Sequence, residues 1–282
     1  MSGGMASGQT SLSGQVAFVT GGGRGLGRAF ALALASAGAT VAVCARSEEQ
    51  LAETVRLIED AGGRAVALPA DLSDPAAIEP VTAAVERQLG PVDLLVNNAG
   101  VSGPAGPEWE VAPDQWWHTL EVNLRAPFLC ARAVLPGMIA RRRGRIINVS
   151  SNTGNDALPL LSAYGSSKAA LTYFSTCLAG AVQEYGIIVF AYGPGLVHTA
   201  MSTHTSTSPD VPKAVREPIR KRFEEGSDVP LARSVERFLF LVSGQADALS
   251  GRFISTYDDP ADLLARIEEI KRDDLYTLHL RS

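Results

Sequence analysis

Cysteine and histidine are scarce in this sequence, and neither residue is spaced for a disulfide framework or a metal site. The three cysteines, Cys44, Cys130 and Cys177, are far apart and form no C-x-x-C pair. The four histidines include no H-x-x-x-H pattern. Disulfide-rich scaffolds and structural or catalytic zinc sites depend on such spacings. We therefore expect no bound metal and a reducing, cytoplasmic location.

Positive charge and long apolar runs are also in short supply. The net charge is −5, whereas domains that bind nucleic acid or anionic membranes are usually basic. The longest uncharged apolar stretch, residues 29–45, is interrupted by Gly38 and is too short for a bilayer span. The first 23 residues contain no Lys or Arg and no signal-type apolar core, and no G-x-S-x-G hydrolase motif occurs. We expect a small-molecule partner, and neither nucleic acid nor membrane.

What the sequence does contain is a regular alternation of short apolar runs with longer helical segments. The runs are "VAFVT", "TVAVCA", "RAVALPA", "DLLVNNAG", "GRIINVSS" and "GIIVFAYGPG". Such alternation is typical of βαβ units, and strands that are apolar on both faces belong to a parallel sheet covered by helices. The sequence therefore predicts one α/β domain over residues 14–257, a Rossmann-like, doubly wound parallel sheet of about seven strands in three layers, with helices on both faces.

Three segments depart from this alternation. The Gly- and Ser-rich residues 1–13 are predicted to form a disordered tail. Residues 201–228 are polar and carry three prolines, and an excursion of this length is typical of a lid over a substrate site. The end of the chain predicts a helix at 234–243, a short strand "RFIST" and a charged surface helix. We assign residues 258–282 to an extension of the same domain.

A glycine-rich turn, "TGGGRGLGR", follows the first strand and opens the first helix. In this context Gly21, Gly25 and Gly27 favour a dinucleotide site, because N–H groups at a helix start bind a pyrophosphate and glycines let the backbone approach it. Arg28 and Ala29 stand where a Walker loop needs Lys and then Ser or Thr. A flexible turn without a ligand is the alternative.

Two arginines indicate which dinucleotide this would be. Arg46 follows the second strand, where an acidic residue would bind the ribose 2′-hydroxyl and a basic residue a 2′-phosphate. Arg24 in the glycine-rich turn adds a second cation. The pattern favours NADP(H) over NAD(H), and the alternative is that either arginine is a solvated surface charge.

The segment "YGSSK" places Tyr164 and Lys168 four residues apart, on one face of a predicted helix. An ammonium beside a phenol favours the phenolate and would lower the tyrosine pKa from about 10 toward the range of a general acid or base. By spacing alone, the pair fits a reactive couple or an ordinary amphipathic helix surface.

Several motifs in one order resolve this alternative, since together they resemble the single-domain short-chain dehydrogenase/reductases. The matching stretches, from about residue 14 to 201, are "TGGGRGLG", "DL" at 71–72, "NNAG" at 97–100, "VNL" with Asn123, "NVSSNTG" with Ser151, "YGSSK" and "PGLVHT" at 194–199. In overall character the chain is most similar to bacterial 3-oxoacyl-thioester and ketone reductases.

The resemblance implies a role for each of four residues. Tyr164 would be the catalytic acid or base, and Lys168 would lower its pKa and bind the nicotinamide ribose. Ser151 would orient the substrate carbonyl, and we choose it over Ser150 because it lies thirteen residues before the tyrosine, as in the family. Asn123 would position a water that links Lys168 to solvent.

The resemblance also implies a set of cofactor contacts. It predicts adenine contacts from residues 71–72, ribose contacts from the "NNAG" segment and carboxamide contacts from residues 194–199. Asp71 would otherwise cap the following helix, and Asn97 would otherwise hold a strand end. The predicted cofactor-binding residues are Gly21, Arg24, Gly25, Leu26, Gly27, Arg46, Asp71, Leu72, Asn97, Ala99, Gly100, Tyr164, Lys168, Pro194, Gly195, Val197 and Thr199.

These observations predict an NADPH-dependent oxidoreductase that reduces a ketone to a secondary alcohol, reversibly, with hydride supplied by the cofactor. A non-catalytic NADP-binding redox regulator and a carbonyl epimerase or dehydratase on the same fold are the alternatives. Related chains assemble through long helices, so the resemblance implies a homotetramer, with a dimer as the second choice. No spacing rule identifies the substrate.

Overall fold

Seven short strands form one parallel sheet. Strands such as β1, β2 and β6 are buried on both faces, as is usual for a parallel sheet covered by helices. The computed structural model describes residues 11–154 and 156–279. The strand order is β3-β2-β1-β4-β5-β6-β7, and every neighbouring pair is parallel. The strands are β1 Val16–Thr20, β2 Thr40–Ala45, β3 Arg64–Pro69, β4 Leu94–Asn97, β5 Gly144–Val149, β6 Ile187–Gly193 and β7 Phe253–Ser255.

Helices cover both faces of the sheet and enclose two apolar cores. One core holds Phe30 and Phe238, whose rings stack at 4.2 Å, and the other holds Cys130 and Met138. The predicted three-layer, doubly wound fold is confirmed. The helices are α1 Gly25–Ser36, α2 Glu48–Asp60, α3 Pro75–Leu89, α4 Pro113–Leu120, α5 Ala126–Arg141, α6 Ser162–Val182, α7 Ala200–Thr207, α8 Lys213–Glu224, α9 Leu231–Val242, α10 Pro260–Ala265 and α11 Ile267–Arg272.

The order of the strands determines where a crevice forms at the edge of the sheet. From β1 the chain first builds outward through β2 to β3 and then returns to β4 on the other side of β1. The connections on the two sides diverge at this switch point, which leaves a crevice outside the carboxyl ends of the strands. The glycine-rich turn after β1 and the loop after β4 both open into it.

The sequence pattern predicts one helix over residues 113–139, but in the structure this helix is interrupted. A π-helical turn, Glu121–Arg125, joins α4 to α5, and it contains the buried Asn123. Single π-helical turns inside longer helices occur frequently at functional sites, because the extra residue re-aims a side chain and alters the hydrogen-bond ladder. The periodicity of the sequence does not reveal this insertion.

The two ends of the domain differ from the prediction. Residues 1–10 of the predicted disordered tail lie outside the described residues, but Leu12 is buried and its N–H donates to the Ala37 carbonyl at 2.7 Å. At the other end, α10 and α11 bury Leu263 and Ile270 in the core, so they are not only a surface helix. The apolar residues within this charged segment give each helix an inner face. None of the described helices combines the length and apolar character that a membrane span requires.

The C-terminal extension also covers the outer edge of β7. The Phe253 N–H donates to the Tyr276 carbonyl at 2.8 Å, and Arg252 forms an ion pair with Asp274 at 2.7 Å. An uncovered edge strand would expose unpaired backbone groups to other chains. The extension therefore protects part of this edge of the sheet.

Candidate active site

A single large cleft, with a volume of about 1210 Å³, runs across the carboxyl ends of β1 to β6. Its walls come from the glycine-rich turn, the loops after β2, β3 and β4, the start of α6, the 194–199 loop and the helices α7 and α8. Parallel strands place all their carboxyl ends on one edge, so these distant segments of sequence meet there.

The glycine-rich turn forms the floor at one end of the cleft. Gly21 and Gly25 have positive φ angles of 65° and 54°, which residues with a side chain rarely adopt. A Cβ on Gly27 would lie 2.1 Å from the carbonyl oxygen of Gly21. Only glycine therefore lets α1 start this close to the turn, and the predicted cofactor residues of this segment all line the cleft.

Two side chains that sequence reasoning missed fix this turn by donating hydrogen bonds to its carbonyl groups. The Arg28 guanidinium donates to the Gly23 carbonyl at 2.6 and 3.1 Å, and the Thr54 hydroxyl donates to the Gly22 carbonyl at 3.0 Å. Because these side chains bind the carbonyl groups of the turn, the N–H groups at the start of α1 remain available to the cleft. The arginine was visible in the sequence only as a departure from the Walker pattern.

The loop after β4 crosses the middle of the cleft. Thr20 accepts hydrogen bonds from the N–H groups of Asn98 and Ala99, each at 3.0 Å, and the Asn98 amide donates to the Thr20 carbonyl at 2.9 Å. These bonds tie the "NNAG" segment to the end of β1. Ala99 and Gly100, which are predicted to contact the cofactor, line the cleft, and so does Asn98, which was not selected.

Asn97 is placed differently from its predicted role at the cofactor ribose. It is buried, it lies outside the set of residues that line the cleft, and its amide donates to Asn148 at 2.8 Å and to the Pro127 carbonyl at 3.3 Å. As the last residue of β4 it points into the protein. The contacts support the alternative that the sequence analysis left open, a residue that holds a strand end.

Four predicted contacts lie at the adenine end of the cleft, namely Arg24, Arg46, Asp71 and Leu72. Both arginines are exposed. Asp71 accepts hydrogen bonds from the N–H and hydroxyl of Ser73 at 3.0 and 2.8 Å, and these bonds and the nearby Arg46 charge lower its pKa. The alternative role for Asp71 as a helix cap is wrong, because Asp74 caps α3.

Three of the four predicted catalytic residues, Ser151, Tyr164 and Lys168, line the opposite wall of the cleft, whereas Asn123 is buried and does not line it. Lys168 is only 4% exposed, and its ammonium donates to the Val149 carbonyl at 2.8 Å. The ammonium nitrogen lies 5.8 Å from the centre of the Tyr164 ring. Residues four apart on α6 thus face the same part of the cleft, and the loop after β5 supplies the serine.

The pKa values of this group differ from the expectation. Burial raises the pKa of the Tyr164 phenol, although its hydrogen bond to Ser151 opposes this effect. Burial also lowers the pKa of the Lys168 ammonium to about 8. The expected lowering of the tyrosine pKa is not seen, because loss of water around the phenolate outweighs the hydrogen bond with Ser151. The surroundings therefore favour the neutral form of the Tyr164 phenol, and they make the Lys168 ammonium easier to deprotonate than that of an exposed lysine.

The structure also separates the two adjacent serines. The Ser150 hydroxyl donates to the Lys168 carbonyl at 3.0 Å and shares a hydrogen bond with Thr172 at 2.7 Å, so it is fully engaged in fixing α6. Ser151 lines the cleft, where its hydroxyl donates to the Thr153 hydroxyl at 3.2 Å and also forms a hydrogen bond with Tyr164. The choice of Ser151 from its separation to the tyrosine agrees with this placement.

Asn123 lies behind the lysine. Its side-chain oxygen accepts from the Val101 N–H at 2.9 Å, and its amide donates to the Val101 carbonyl at 2.9 Å and to the Ser167 hydroxyl at 3.0 Å. A Cβ on Gly100 would lie 3.3 Å from the Asn123 oxygen and 3.6 Å from the Lys168 nitrogen. The asparagine therefore borders the lysine, but both of its amide hydrogens are already used by the protein.

The loop after β6 forms the side of the cleft between the two ends. Pro194, Gly195, Val197 and Thr199, which are predicted to contact the cofactor, line the cleft here. Thr199 then forms a capping box with Ser202 that starts α7. The capping box links this loop directly to the first helix of the predicted lid.

The remaining part of the cleft, which we call the substrate half, is mostly apolar. One wall is the loop at 156–161 and the other is formed by α7 and α8, so the predicted lid at 201–228 consists of two helices. Tyr257, from the C-terminal extension, also lines it, and no sequence motif indicated this. The apolar lining residues are Leu158, Pro159, Leu160, Leu161, Met201, Val215, Pro218 and Ile219.

Comparison with known proteins agrees with this geometry. Residues 15–210 match the family described as short chain dehydrogenase. The chain is 36% identical to a short chain dehydrogenase of Pseudocercospora fijiensis, over 96% of this chain and 91% of that protein. It is also 36% identical to 2,3-dihydro-2,3-dihydroxybenzoate dehydrogenase of Bacillus subtilis, over 83% of this chain and 91% of that protein.

Solved structures show the same fold. A gluconate 5-dehydrogenase from Burkholderia cenocepacia in complex with NADP and tartrate matches with a TM-score of 0.79 at 30% identity, covering 91% of this chain and 97% of that one. An actinorhodin polyketide ketoreductase with NADPH matches with a TM-score of 0.77 at 33% identity, covering 89% and 97%.

The fold and the cleft thus define an oxidoreductase that acts on CH–OH or C=O groups. Within that class, the chain belongs to the short chain dehydrogenase family.

Proposed function

We propose that this protein is an NADPH-dependent reductase that converts a ketone to a secondary alcohol, reversibly. The observation that carries the proposal is the convergence of Ser151, Tyr164 and Lys168 on one wall of a cleft whose far end presents Arg24 and Arg46. A proton donor therefore lies in the same cavity as a cationic dinucleotide site.

The cleft fits a nicotinamide dinucleotide with a 2′-phosphate. The start of α1 opens into the cleft. Neither Arg24 nor Arg46, both of which are exposed, forms an ion pair with a carboxylate in the described parts of the chain. The presence of NADP in the gluconate 5-dehydrogenase and NADPH in the polyketide ketoreductase supports this choice over NAD. Arg24, Arg46, the glycine-rich turn, Ala99, Gly100 and the 194–199 loop would hold the cofactor, which when bound supplies hydride to the substrate carbon.

The side chains of this chain perform the proton chemistry. The Ser151 hydroxyl donates a hydrogen bond to the substrate carbonyl oxygen and orients it. Tyr164 gives its phenolic proton to the same oxygen, and its raised pKa keeps that proton in place at neutral pH. The Lys168 ammonium stabilises the phenolate that remains, and the low-dielectric surroundings strengthen this interaction. In the direction of alcohol oxidation, the phenolate is the base.

The proposal is tested by incubating the protein with stoichiometric NADPH and a panel of β-keto esters, aryl ketones, quinones, steroids and sugars. We expect NADPH absorbance to fall with at least one ketone and chromatography to show the secondary alcohol. Formation of an epimer or a dehydrated product without NADPH consumption would instead support one of the alternative carbonyl reactions.

The preference for NADPH gives a second prediction. Arg46→Asp removes a cation and repels a 2′-phosphate, so we expect NADPH affinity to fall on the order of 10- to 100-fold while NADH affinity falls far less. Titration of each cofactor by protein fluorescence measures both effects. Arg64→Asp is the control, since Arg64 is exposed at the opposite, amino end of β3. Equal losses of NADPH and NADH affinity would contradict a 2′-phosphate contact at Arg46.

We further propose that the reductase is a cytoplasmic homotetramer, with a dimer as the second choice. Three large aromatic residues, Trp117, Phe128 and Tyr173, are exposed on α4, α5 and α6, and exposed apolar surfaces of this kind mark interfaces. The three cysteines are free, which is consistent with a reducing compartment. Size-exclusion chromatography with light scattering should give four subunits, and a monomer at micromolar concentration would contradict assembly.

A further inference from the structure

One face of α8 forms a wall of the substrate half. The residues that line the cleft, Ala214, Val215, Pro218, Ile219 and Arg222, recur at helical spacing. Four of them are apolar, and the last is a cation. The face therefore changes from apolar to positively charged along its length.

The apolar end of this face is closed by packing against the opposite wall. Val211 and Val215 form a buried cluster with Leu161, and Leu160 and Ala105 pack against it. These contacts give that end an apolar lining. An apolar part of a substrate would fit there.

The charged end differs from the other cations of the same helix. Arg220 forms ion pairs with Glu217 at 2.5 Å and with Glu224 at 2.6 Å. Arg222 instead donates to the Tyr257 hydroxyl at 3.1 Å and to the Ser227 carbonyl at 3.3 Å. Over residues 11–154 and 156–279, no carboxylate forms an ion pair with it.

Tyr257 places this charged end beside the 194–199 loop. Its hydroxyl lies 3.3 Å from the position that a Cβ on Gly195 would occupy, beside the predicted cofactor loop. It also lines a second, smaller cavity together with Asn152, the residue after Ser151. The tyrosine is held in place because its N–H donates to the Ser255 hydroxyl at 3.3 Å.

We infer that Arg222 and Tyr257 bind a carboxylate of the substrate, so that the proposed reductase acts on oxo acids with an apolar body. The guanidinium has a planar fork of donors that matches a carboxylate. The Tyr257 hydroxyl accepts its hydrogen bond from Arg222, and its own proton remains to be donated to the same anion. The carboxylate takes no part in the reaction, which remains the addition of hydride and a proton across the ketone. The inference rests on the proposed function for its reaction.

Two other titratable groups line the cleft, Asp156 on the loop beside the substrate half and His118, which lies near Asp71 at the adenine end. Asp156 is exposed on the loop that faces the lid, and His118 is exposed on α4. A substrate with an ammonium group would favour Asp156 and avoid Arg222. A comparison of acidic, neutral and basic ketones therefore decides between the two ends.

The test compares two oxo acids, benzoylformate and benzoylpropionate, with their methyl esters and with the amine phenacylamine. We expect kcat/KM with NADPH to be at least about ten-fold higher for one acid than for its ester, and lowest for the amine. A preference for the ester or the amine would overturn the inference. Calorimetric binding of the same ligands to the protein with oxidised NADP, a combination that cannot react, gives a readout independent of turnover.

Variants of Arg222 and Tyr257 test whether these two residues cause the preference for the acid over its ester. Arg222→Gln should lower the acid-to-ester ratio of kcat/KM by about ten-fold or more, Tyr257→Phe should lower it less, and Arg222→Lys should restore part of it. Lys221→Gln is the matched control, because it removes the same charge from a neighbouring residue outside the cleft. An equal effect of Lys221→Gln would show a general charge effect and overturn the inference. If no ketone is reduced but the acids still bind through Arg222, the proposed reaction is wrong and the carboxylate site stands.

Discussion

Tyr164→Phe is expected to lower the rate of ketone reduction on the order of 10³-fold, because general acid catalysis of this kind contributes about 10²- to 10⁴-fold. The substitution removes the phenolic oxygen from the group that lines the cleft with Ser151 and Lys168. The aromatic ring, which fills the same space, is kept. We therefore expect NADPH affinity to stay within about two-fold of the unchanged protein. Single-turnover NADPH absorbance measures the rate, and fluorescence titration measures the affinity.

The matched control is Tyr173→Phe, which makes the same chemical change on α6 at a side chain that is 57% exposed. This variant should reduce ketones at the unchanged rate. If Tyr164→Phe binds NADPH normally and also turns over at the unchanged rate, the phenol is not the proton donor. That result would favour a dinucleotide-binding regulator over an enzyme with this mechanism.

Loss of the Lys168 charge is expected to have the second largest effect, and it should appear as a pH dependence. Burial lowers the lysine pKa to about 8, so the amine is a cation below that pH and neutral above it. The cation stabilises the phenolate that forms as Tyr164 gives up its proton. The kcat for reduction should therefore be constant below about pH 8 and fall above it. Steady-state rates from pH 6 to 10, at saturating NADPH, define this limb.

Lys168→Met should lower kcat on the order of 10²-fold and remove the decline. Lys271→Met, on the distant helix α11, removes a lysine outside the cleft and should leave the profile unchanged. A reduction rate that stays constant to pH 10 in the unchanged protein would contradict the assignment of the limb to Lys168. Alcohol oxidation should show the opposite trend, because it requires the Tyr164 phenolate and the tyrosine pKa is raised.

The relative position of Tyr164 and Lys168 and the pKa values of their side chains depend on different kinds of information. That Tyr164 and Lys168 face the same way follows from their spacing, since residues four apart on a helix are neighbours. The direction of their pKa shifts does not follow from spacing. It depends on burial by β5, α6 and the cleft walls, which come from distant parts of the chain, and the expected sign for the tyrosine differed from the one in the structure.

The placement of polar residues shows the same division. Ser151 could be chosen over Ser150 from its distance to the tyrosine along the chain, and the two hydroxyls do face different surroundings. Asn97 could not be placed, because the side chain at the end of a strand can point toward the cleft or into the protein. Its amide points inward, where Asn148 of the neighbouring strand meets it.

By itself, the amino-acid sequence determined the alternation of strands and helices, the order of the strand-to-helix turns and the glycines that let α1 begin beside Gly21. These features are local, since apolar periodicity, backbone freedom and helical spacing act over a few residues. Only the tertiary structure decided how Arg28 binds the glycine-rich turn, why the Tyr164 pKa rises and how Tyr257 reaches Arg222. Each of these depends on groups brought together by the sheet and the lid, where the loss of water and the choice of hydrogen-bond partner set the chemistry.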